Sequence, residues 1–577
     1  MIIRLLRTYL RPHPVWLGML VLFQTVQTLA TLYLPTLNAG LIDEGVVPGD
    51  VAHILATGAV MLGVILVQVL SAVAAVYYAA RVAAALGRDM RTAVFERVQG
   101  FSVREVGRFG APSLITRTTN DVQQVQTLVL MTLSLVVPAP IMAAVGVLMA
   151  LSLDPSLSWL LAVVIPVLVL VVAVILVRMA PLARRTQECI DQVNRVVREQ
   201  ITGMRVVRAF VRERYEQDRF DGANRELMRV SLAAARINAL MLPSLMLILN
   251  GANVAVLWLG GHRIDDGSME IGSLIAFLQY LLLILQAAIM ATYMLMVVPR
   301  AETSARRIQE VLDTPSSVVP PTAPVLRLPT PGTVEIQDVD FRYAGAEEPV
   351  LRGVRLATGP GEITAVIGST GSGKTTLLHL IPRLFDAVEG SVLVGGVDVR
   401  ELDPVTLSST VALVPQNPLL FSGTVATNLR YGDPGADESE LWRALDIAQA
   451  RDFVEALPGG LHAPISQGGA NVSGGQRQRL AIARALVARP SIYLFDDSFS
   501  ALDYATDAAL RSALAEHTAE ATVLLVAQRV STIRHADRIV VLDEGRVVGT
   551  GTHDELMDTS RTYREIVLSQ PDRQEAA

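Results

Sequence analysis

The chain has 577 residues, 51% of them hydrophobic and only 18% charged, against roughly a quarter charged in soluble domains. Its 49 basic and 55 acidic side chains leave a formal charge of −6, which gives no support to nucleic acid as a partner. The lone cysteine, Cys189, excludes an internal disulfide framework and reads as a small space-filling residue.

Apolar and arginine-rich stretches alternate up to about residue 300; beyond about 330 the pattern is that of a soluble α/β domain. Apolar runs long enough to cross roughly 30 Å of hydrocarbon fall near 15–40, 55–82, 128–152, 157–178, 236–260 and 272–298, predicting six membrane helices. The first follows Arg4, Arg7 and Arg11, but it is too long for a signal-peptide core and lacks a cleavage site. A short interfacial segment is expected before it. Orientation follows from the arginines: 43–50 and 152–158 contain none and 260–270 only Arg263, whereas the loops near 83–127 and 179–235 are crowded with them. Those two long loops are therefore cytoplasmic, and their helical periodicity predicts membrane helices that continue beyond the bilayer. Proline-dense 314–332 reads as a linker, giving a membrane domain over 1–310, a linker over 311–332 and a soluble domain over 333–577.

The stretch "GSTGSGKTT", Gly368 to Thr376, follows an apolar strand pattern and opens an amphipathic helix. In that context successive backbone N–H groups converge on an anion, the signature of a phosphate-binding loop. Gly368, Ser369, Thr370, Gly371, Ser372, Gly373, Lys374, Thr375 and Thr376 are the candidate nucleotide-binding residues. Lys374 is the only lysine in the chain. A compact ammonium on a flexible stem fits inside such a loop against β- and γ-phosphates, and a planar guanidinium does not. Thr375 offers a hydroxyl to Mg²⁺, and "SIYLFDD" (491–497) is an apolar strand ending in two carboxylates, of which Asp496 is placed in the Mg²⁺ shell. Between the two lies "VSGGQRQRLAIARAL" (472–486), a small-residue helix start suited to a second phosphate.

At these residues the soluble half resembles the nucleotide-binding domain of ATP-binding cassette (ABC) transporters. The "SGGQ" of Ser473, Gly474, Gly475 and Gln476 matches the family signature, which this family places against the ATP of the partner cassette. The resemblance further implies that Gln416 in "LVPQNPLLF" senses Mg²⁺, that Tyr343 in "VDFRY" stacks on adenine, and that Asp503 in "SALD" lies in the loop between cassettes. Six spans ahead of the cassette resemble the exporter half-transporter: an all-α six-helix membrane domain followed by an α/β phosphate-loop domain, the type IV exporter arrangement. ATP and Mg²⁺ are the implied cofactors, and the plasma membrane the implied location, with the ATP-binding domain cytoplasmic.

Three positions depart from the family pattern. Asp497 stands where active cassettes have a catalytic glutamate, Gln528 in "VAQRVST" stands for the switch histidine, and Gln467 replaces a glutamate ahead of the signature. The aspartate is one methylene short, leaving its carboxylate about 1 Å or more back from the attacking water, and such misplacement can cost about a hundredfold. Gln528 can donate to a γ-phosphate but cannot become cationic or relay a proton. The resemblance is thus to the degenerate-site half of a heterodimeric, multidrug-exporter-like pair: ATP binds, hydrolysis is slow, and the intact signature completes a catalytic site in a second half-transporter subunit. A homodimer with two slow sites, an ATP-gated regulatory protein and an importer on the same fold are the alternatives.

Two cytoplasmic stretches are candidates for carrying cassette motion to the helices. "RFGAPSLITRTTNDVQQVQ" (108–126) is expected to hold a helix end and a short transverse helix, and 203–220 resembles the family's second intracellular loop at Arg205, Phe210, Arg212 and Glu213. The spans carry Gln24, Gln27, Gln68, Asn250, Asn253 and Gln286 but almost no ionised side chain. That composition favours an uncharged or amphipathic small molecule, or a membrane lipid, as cargo, although amides also serve as glue between helices.

Overall fold

The computed structural model describes residues 1–570; the end of the expected soluble domain, 571–577, lies outside the described residues. The chain divides into two compact units, one of Met1–Val98 with Pro112–Thr314, the other of Gln99–Ala111 with the residues from Pro315 onward. Six helices are long and apolar enough to cross a membrane: Pro14–Val46, Val51–Gln99, Ala111–Leu153, Pro155–Thr202, Glu213–Asp265, and a sixth that begins at Ile271 and remains helical to Asp313. At 1.5 Å per residue the second extends roughly 70 Å, more than twice the hydrocarbon thickness. Helix therefore continues well past any bilayer boundary.

The ends of these helices are written in their sequences. Asp154 caps the fourth, its carboxylate accepting from the N–H groups of Ser156 (2.7 Å) and Leu157 (3.1 Å), with Pro155 at the first helical position. The same carboxylate pairs with Arg263 at 3.2 Å, the one arginine of the outer loops. Ahead of the first span, Ile2–Leu10 forms a short helix with Leu5 buried and Arg4 and Arg7 exposed. Glu302 holds its start by accepting from the Ile2 N–H (3.2 Å).

A helix end does fall within 108–126, at Phe109, but the short helix expected there lies earlier, at 103–109. The second long helix ends at Gln99, Ser102 and Glu105 form a reciprocal capping box on the short helix Val103–Phe109, and Gly110 turns at φ 75°. Pro112 then falls in the first turn of the next helix, where a missing N–H costs nothing, so the proline starts a span and does not interrupt one. In the second loop a short helix, Met204–Ala209, joins the fourth span to Glu213–Ala239, and Arg205, Phe210, Arg212 and Glu213 are all exposed.

Among the described residues, two of the membrane amides bond between helices. Gln24 Nε2 donates to the Ser134 carbonyl (3.4 Å) and Gln68 Nε2 to Thr31 Oγ1 (3.0 Å), while the buried Tyr280 hydroxyl donates to the Leu32 carbonyl (2.7 Å). Lower in the same unit, buried Arg117 donates to Glu310 and to the Arg307 carbonyl, both at 2.8 Å, and Asp121 accepts from Ser304 (2.9 Å). These contacts fasten the cytoplasmic end of the third span to that of the sixth.

The second unit is built on a six-stranded sheet in the order Arg546–Gly551, Arg538–Asp543, Ile363–Gly368, Thr522–Val526, Ile492–Asp496, Val411–Val414. The last five run parallel and read as near-continuous apolar runs because both faces are covered. A four-stranded antiparallel sheet packs beside it, formed by Leu351–Thr358, Val334–Phe341, Glu389–Val394 and Val397–Asp398. Val366, Leu377, Leu494, Leu524 and Val526 share a buried cluster with Val334, Ile336 and Val392 of that second sheet.

Candidate nucleotide site

In a parallel sheet the C-terminal ends of the strands open onto one edge, where ligands bind. Four adjacent strands end here in Gly368, Asp496, Val526 and Val414, which places the glycine loop, the paired carboxylates, Gln528 and Gln416 along one line. Sequence separation is irrelevant to this convergence; strand order produces it.

The glycine loop has little choice of residue. A Cβ on Gly368 would stand 2.0 Å from the Leu542 carbonyl oxygen, and Gly373, at φ 101°, would put one 2.7 Å from Leu351 Cδ2. Ser372 is buried, and its Oγ has no hydrogen-bond partner, a polar atom in want of a ligand at the floor of the loop. Lys374 Nζ donates to the carbonyls of Gly368 (3.0 Å) and Ser369 (2.8 Å), so the ammonium is curled inside the loop. Burial pushes its pKa down, opposed by the nearby Asp497 and Asp496. Thr375 Oγ1 donates to Asp496 Oδ1 at 2.9 Å, which puts the two proposed Mg²⁺ groups side by side. The residues present fit a phosphate chain with a divalent ion: the loop carries backbone donors and one cation, and the adjacent hydroxyl and carboxylate are hard oxygen ligands.

Gln416 reaches the paired carboxylates from the neighbouring strand end. Its Nε2 donates to Asp497 Oδ2 (3.1 Å), and Gln528 Nε2 donates to the same oxygen (2.8 Å). Both lone pairs of one carboxylate oxygen are thereby taken by amides. Asp497 itself sits at φ 47°, a left-handed conformation that aspartate tolerates better than longer side chains, with its N–H donated to the Val526 carbonyl (2.9 Å). Burial raises the pKa of both Asp496 and Asp497 above the usual carboxylate range.

Tyr343 is 38% exposed, meets Phe341 and Phe385 edge to face, and its hydroxyl lies 3.0 Å from Thr376 Oγ1. Its hydroxyl is thus tied to the phosphate loop. The signature forms a separate cluster: Ser473 Oγ accepts from the Gln476 N–H (3.3 Å), and Gln476 Oε1 accepts from the Ser473 N–H (2.9 Å), a reciprocal box capping the helix Gly474–Val487. Asp503 caps the helix Tyr504–His517, accepting from the Thr506 N–H (3.0 Å) and hydroxyl (2.8 Å). Among the described residues no hydrogen bond joins Ser473, Gly474, Gly475, Gln476 or Asp503 to Lys374, Asp496 or Asp497. Gln467 lies in the short turn Gln467–Gly469 ahead of the signature. Buried Ser498, which sequence reasoning passed over, donates to the Val414 carbonyl (3.0 Å) and pins the carboxylate turn to the neighbouring strand end. Its only signal in the sequence is a hydroxyl directly after two acidic residues.

A nucleotide-binding edge of this kind, on a chain whose other half is built for a bilayer, defines the class: a membrane protein coupled to nucleoside triphosphate. Residues 17–289 match the family model described as the ABC transporter transmembrane region, and 351–500 match the ABC transporter model. An uncharacterised ABC transporter ATP-binding protein of Mycobacterium tuberculosis is 50% identical over 576 residues, 99% of this chain and 98% of that one. An ATP-dependent lipid A-core flippase of Syntrophus aciditrophicus is 32% identical over 83% of this chain and 79% of its own. Among solved structures, a bacterial Atm1-family ABC exporter with ATP bound shares the fold, with a TM-score of 0.80 at 24% identity over 98% of this chain and 99% of that one. The chain belongs to the ABC transporter family, as a half-transporter with its membrane domain fused to its ATP-binding domain. It is a multi-pass membrane protein with a cytoplasmic ATP-binding domain, and at the level of the family an ATP-hydrolysing transporter.

Proposed function

We propose that this chain is one half of an exporter that moves a hydrophobic or amphipathic molecule, with lipid the favoured class, across the plasma membrane by alternating access. It binds MgATP at a slowly hydrolysing site through Lys374, Thr375 and Asp496 and lends Ser473 to Gln476 to the catalytic site of a different half-transporter. The observation that carries the reading is the double occupation of Asp497 Oδ2 by Gln416 and Gln528. A general base needs a free lone pair within reach of the water it deprotonates. Here the carboxylate is a methylene short and one of its oxygens is already saturated by amide donors. Neither donor can turn cationic to balance charge building on the phosphate.

The cargo class rests on spans almost free of ionised side chains and on the 32% identity to a protein named as a lipid A-core flippase. The domain reading is a membrane portion over 1–310, a linker over 311–332 and the ATP-binding domain from 333 onward. Purifying this chain alone, and again together with a half-transporter bearing glutamate and histidine at the two positions, tests the division of labour. Brisk hydrolysis should need both halves; equal rates per site from this chain alone refute it.

A further inference from the structure

The segment Gln528–Ile533 reaches the nucleotide edge without support from its own sequence. The helix Val530–Ile533 has Arg529 at its N-cap, and that side chain makes no capping bond, so the Val530 N–H is one of the donors a helix start leaves unsatisfied. A residue forty positions on supplies the partner. Gln570, just past the helix Arg561–Ser569, accepts the Val530 N–H at Oε1 (2.9 Å) and donates from Nε2 to the Gln528 carbonyl (2.8 Å). The two bonds bracket Arg529 as a neighbouring strand would, and a carboxamide carries donor and acceptor on separate atoms side by side, as a backbone peptide does. The helix that delivers Gln570 is itself anchored: Tyr563 is fully buried, with its hydroxyl 2.7 Å from His553 Nδ1. From the other side Arg511 Nη1 donates to the Ser531 carbonyl (3.2 Å).

We propose that Gln570 is a positioning residue of the nucleotide site. It fixes the peptide that carries Gln528 and so sets the aim of the Gln528 amide, which donates one N–H to Asp497 Oδ2 and has a second to offer a terminal phosphate. The C-terminal helix thereby becomes part of the ATP site's aim, by a chain of contacts running from Gln570 through the backbone of Gln528 and Val530 to the Gln528 side chain and Asp497. This inference rests on the reading of Gln528 as the group that faces the γ-phosphate; it does not rest on a heterodimer or on slow hydrolysis.

Calorimetric titration of the purified full-length chain with MgATP and with MgADP separates the possibilities, because only ATP carries the phosphate that Gln528 would touch. Q528A should weaken ATP binding and leave ADP binding within twofold. Q570A should do the same, by roughly threefold to tenfold, the worth of one ordinary hydrogen bond. In a Q528A background, Q570A should add nothing. Q570E keeps the acceptor for Val530 and loses the donor to Gln528, so an intermediate loss is expected, and it serves as the test if Q570A does not fold. Equal weakening of ATP and ADP with a lowered melting temperature makes Gln570 a mere fastening and overturns the proposal. An undiminished Q570A effect in the Q528A background overturns it as well. Selective weakening by Q528A with no effect of Q570A removes Gln570 and leaves the Gln528 reading standing, whereas a silent Q528A removes both.

Discussion

Restoring the two residues that active cassettes carry, Asp497→Glu with Gln528→His, should convert this chain into a faster ATPase. The added methylene brings the carboxylate forward by about 1 Å or more, and recovery of a misplacement of that size is worth about a hundredfold, or about 2.7 kcal/mol of barrier. The two changes should not add. Gln528 and Gln416 hold one oxygen of Asp497, so either substitution alone leaves the other group in a network built around the native pair. Glutamate at φ 47° also loses about 1 kcal/mol of backbone comfort that aspartate largely escapes, which should show as a lower melting temperature in Asp497→Glu. Each single variant is therefore expected to gain less than about tenfold and the double variant about a hundredfold. Phosphate release by the purified full-length chain without any partner is the assay, since a second copy's Ser473 to Gln476 can complete the site. A double variant no faster than the parent refutes the geometry, as does a parent already turning over at about 1 s⁻¹ or more, the ordinary enzyme range.

Lys374→Arg should lower ATP affinity at least about tenfold in a binding titration, because a bulkier planar guanidinium cannot reproduce the compact ammonium that curls against the Gly368 and Ser369 carbonyls. Ser473→Ala removes the capping box on Gly474–Val487 and should cost about 1 kcal/mol in stability by denaturant melting. In the mixed complex it should leave ATP affinity at this chain's own site unchanged and depress turnover at the partner's site. Because burial raises the pKa of Asp497, the native state holds that proton more tightly than the unfolded chain does. Its contribution to stability is full at pH below the unfolded value and is lost as pH rises through the raised native value. Melting curves of the parent and Asp497→Asn should therefore agree at low pH and diverge with rising pH, the parent becoming the weaker; parallel curves would exclude a strained carboxylate.

Patterns that repeat along the chain were legible without coordinates. Six spans and the short helix ahead of the first follow from hydropathy and charge, because a bilayer selects length and polarity residue by residue. The glycine loop was equally legible, since its steric demands fall on neighbours in sequence. The short helix, expected within 108–126 and found at 103–109, marks the limit of that method: a proline is compatible with a helix start as well as a helix end, and the cap at Ser102 locates the short helix ahead of it.

By itself the sequence picked out the glycine loop, the paired carboxylates, Gln416 and Gln528, and set Asp497 and Gln528, by family resemblance, against a glutamate and a histidine. Tertiary structure alone decided that Gln416 and Gln528 close on a single oxygen of Asp497, that Thr375 meets Asp496, and that Gln570 reaches back to the peptides flanking Arg529. Local pattern carries turns, caps and periodicity, whereas those meetings depend on the order in which parallel strands lie in the sheet. Strand order is set by crossovers and core packing summed over the whole domain, and no short stretch of residues encodes it.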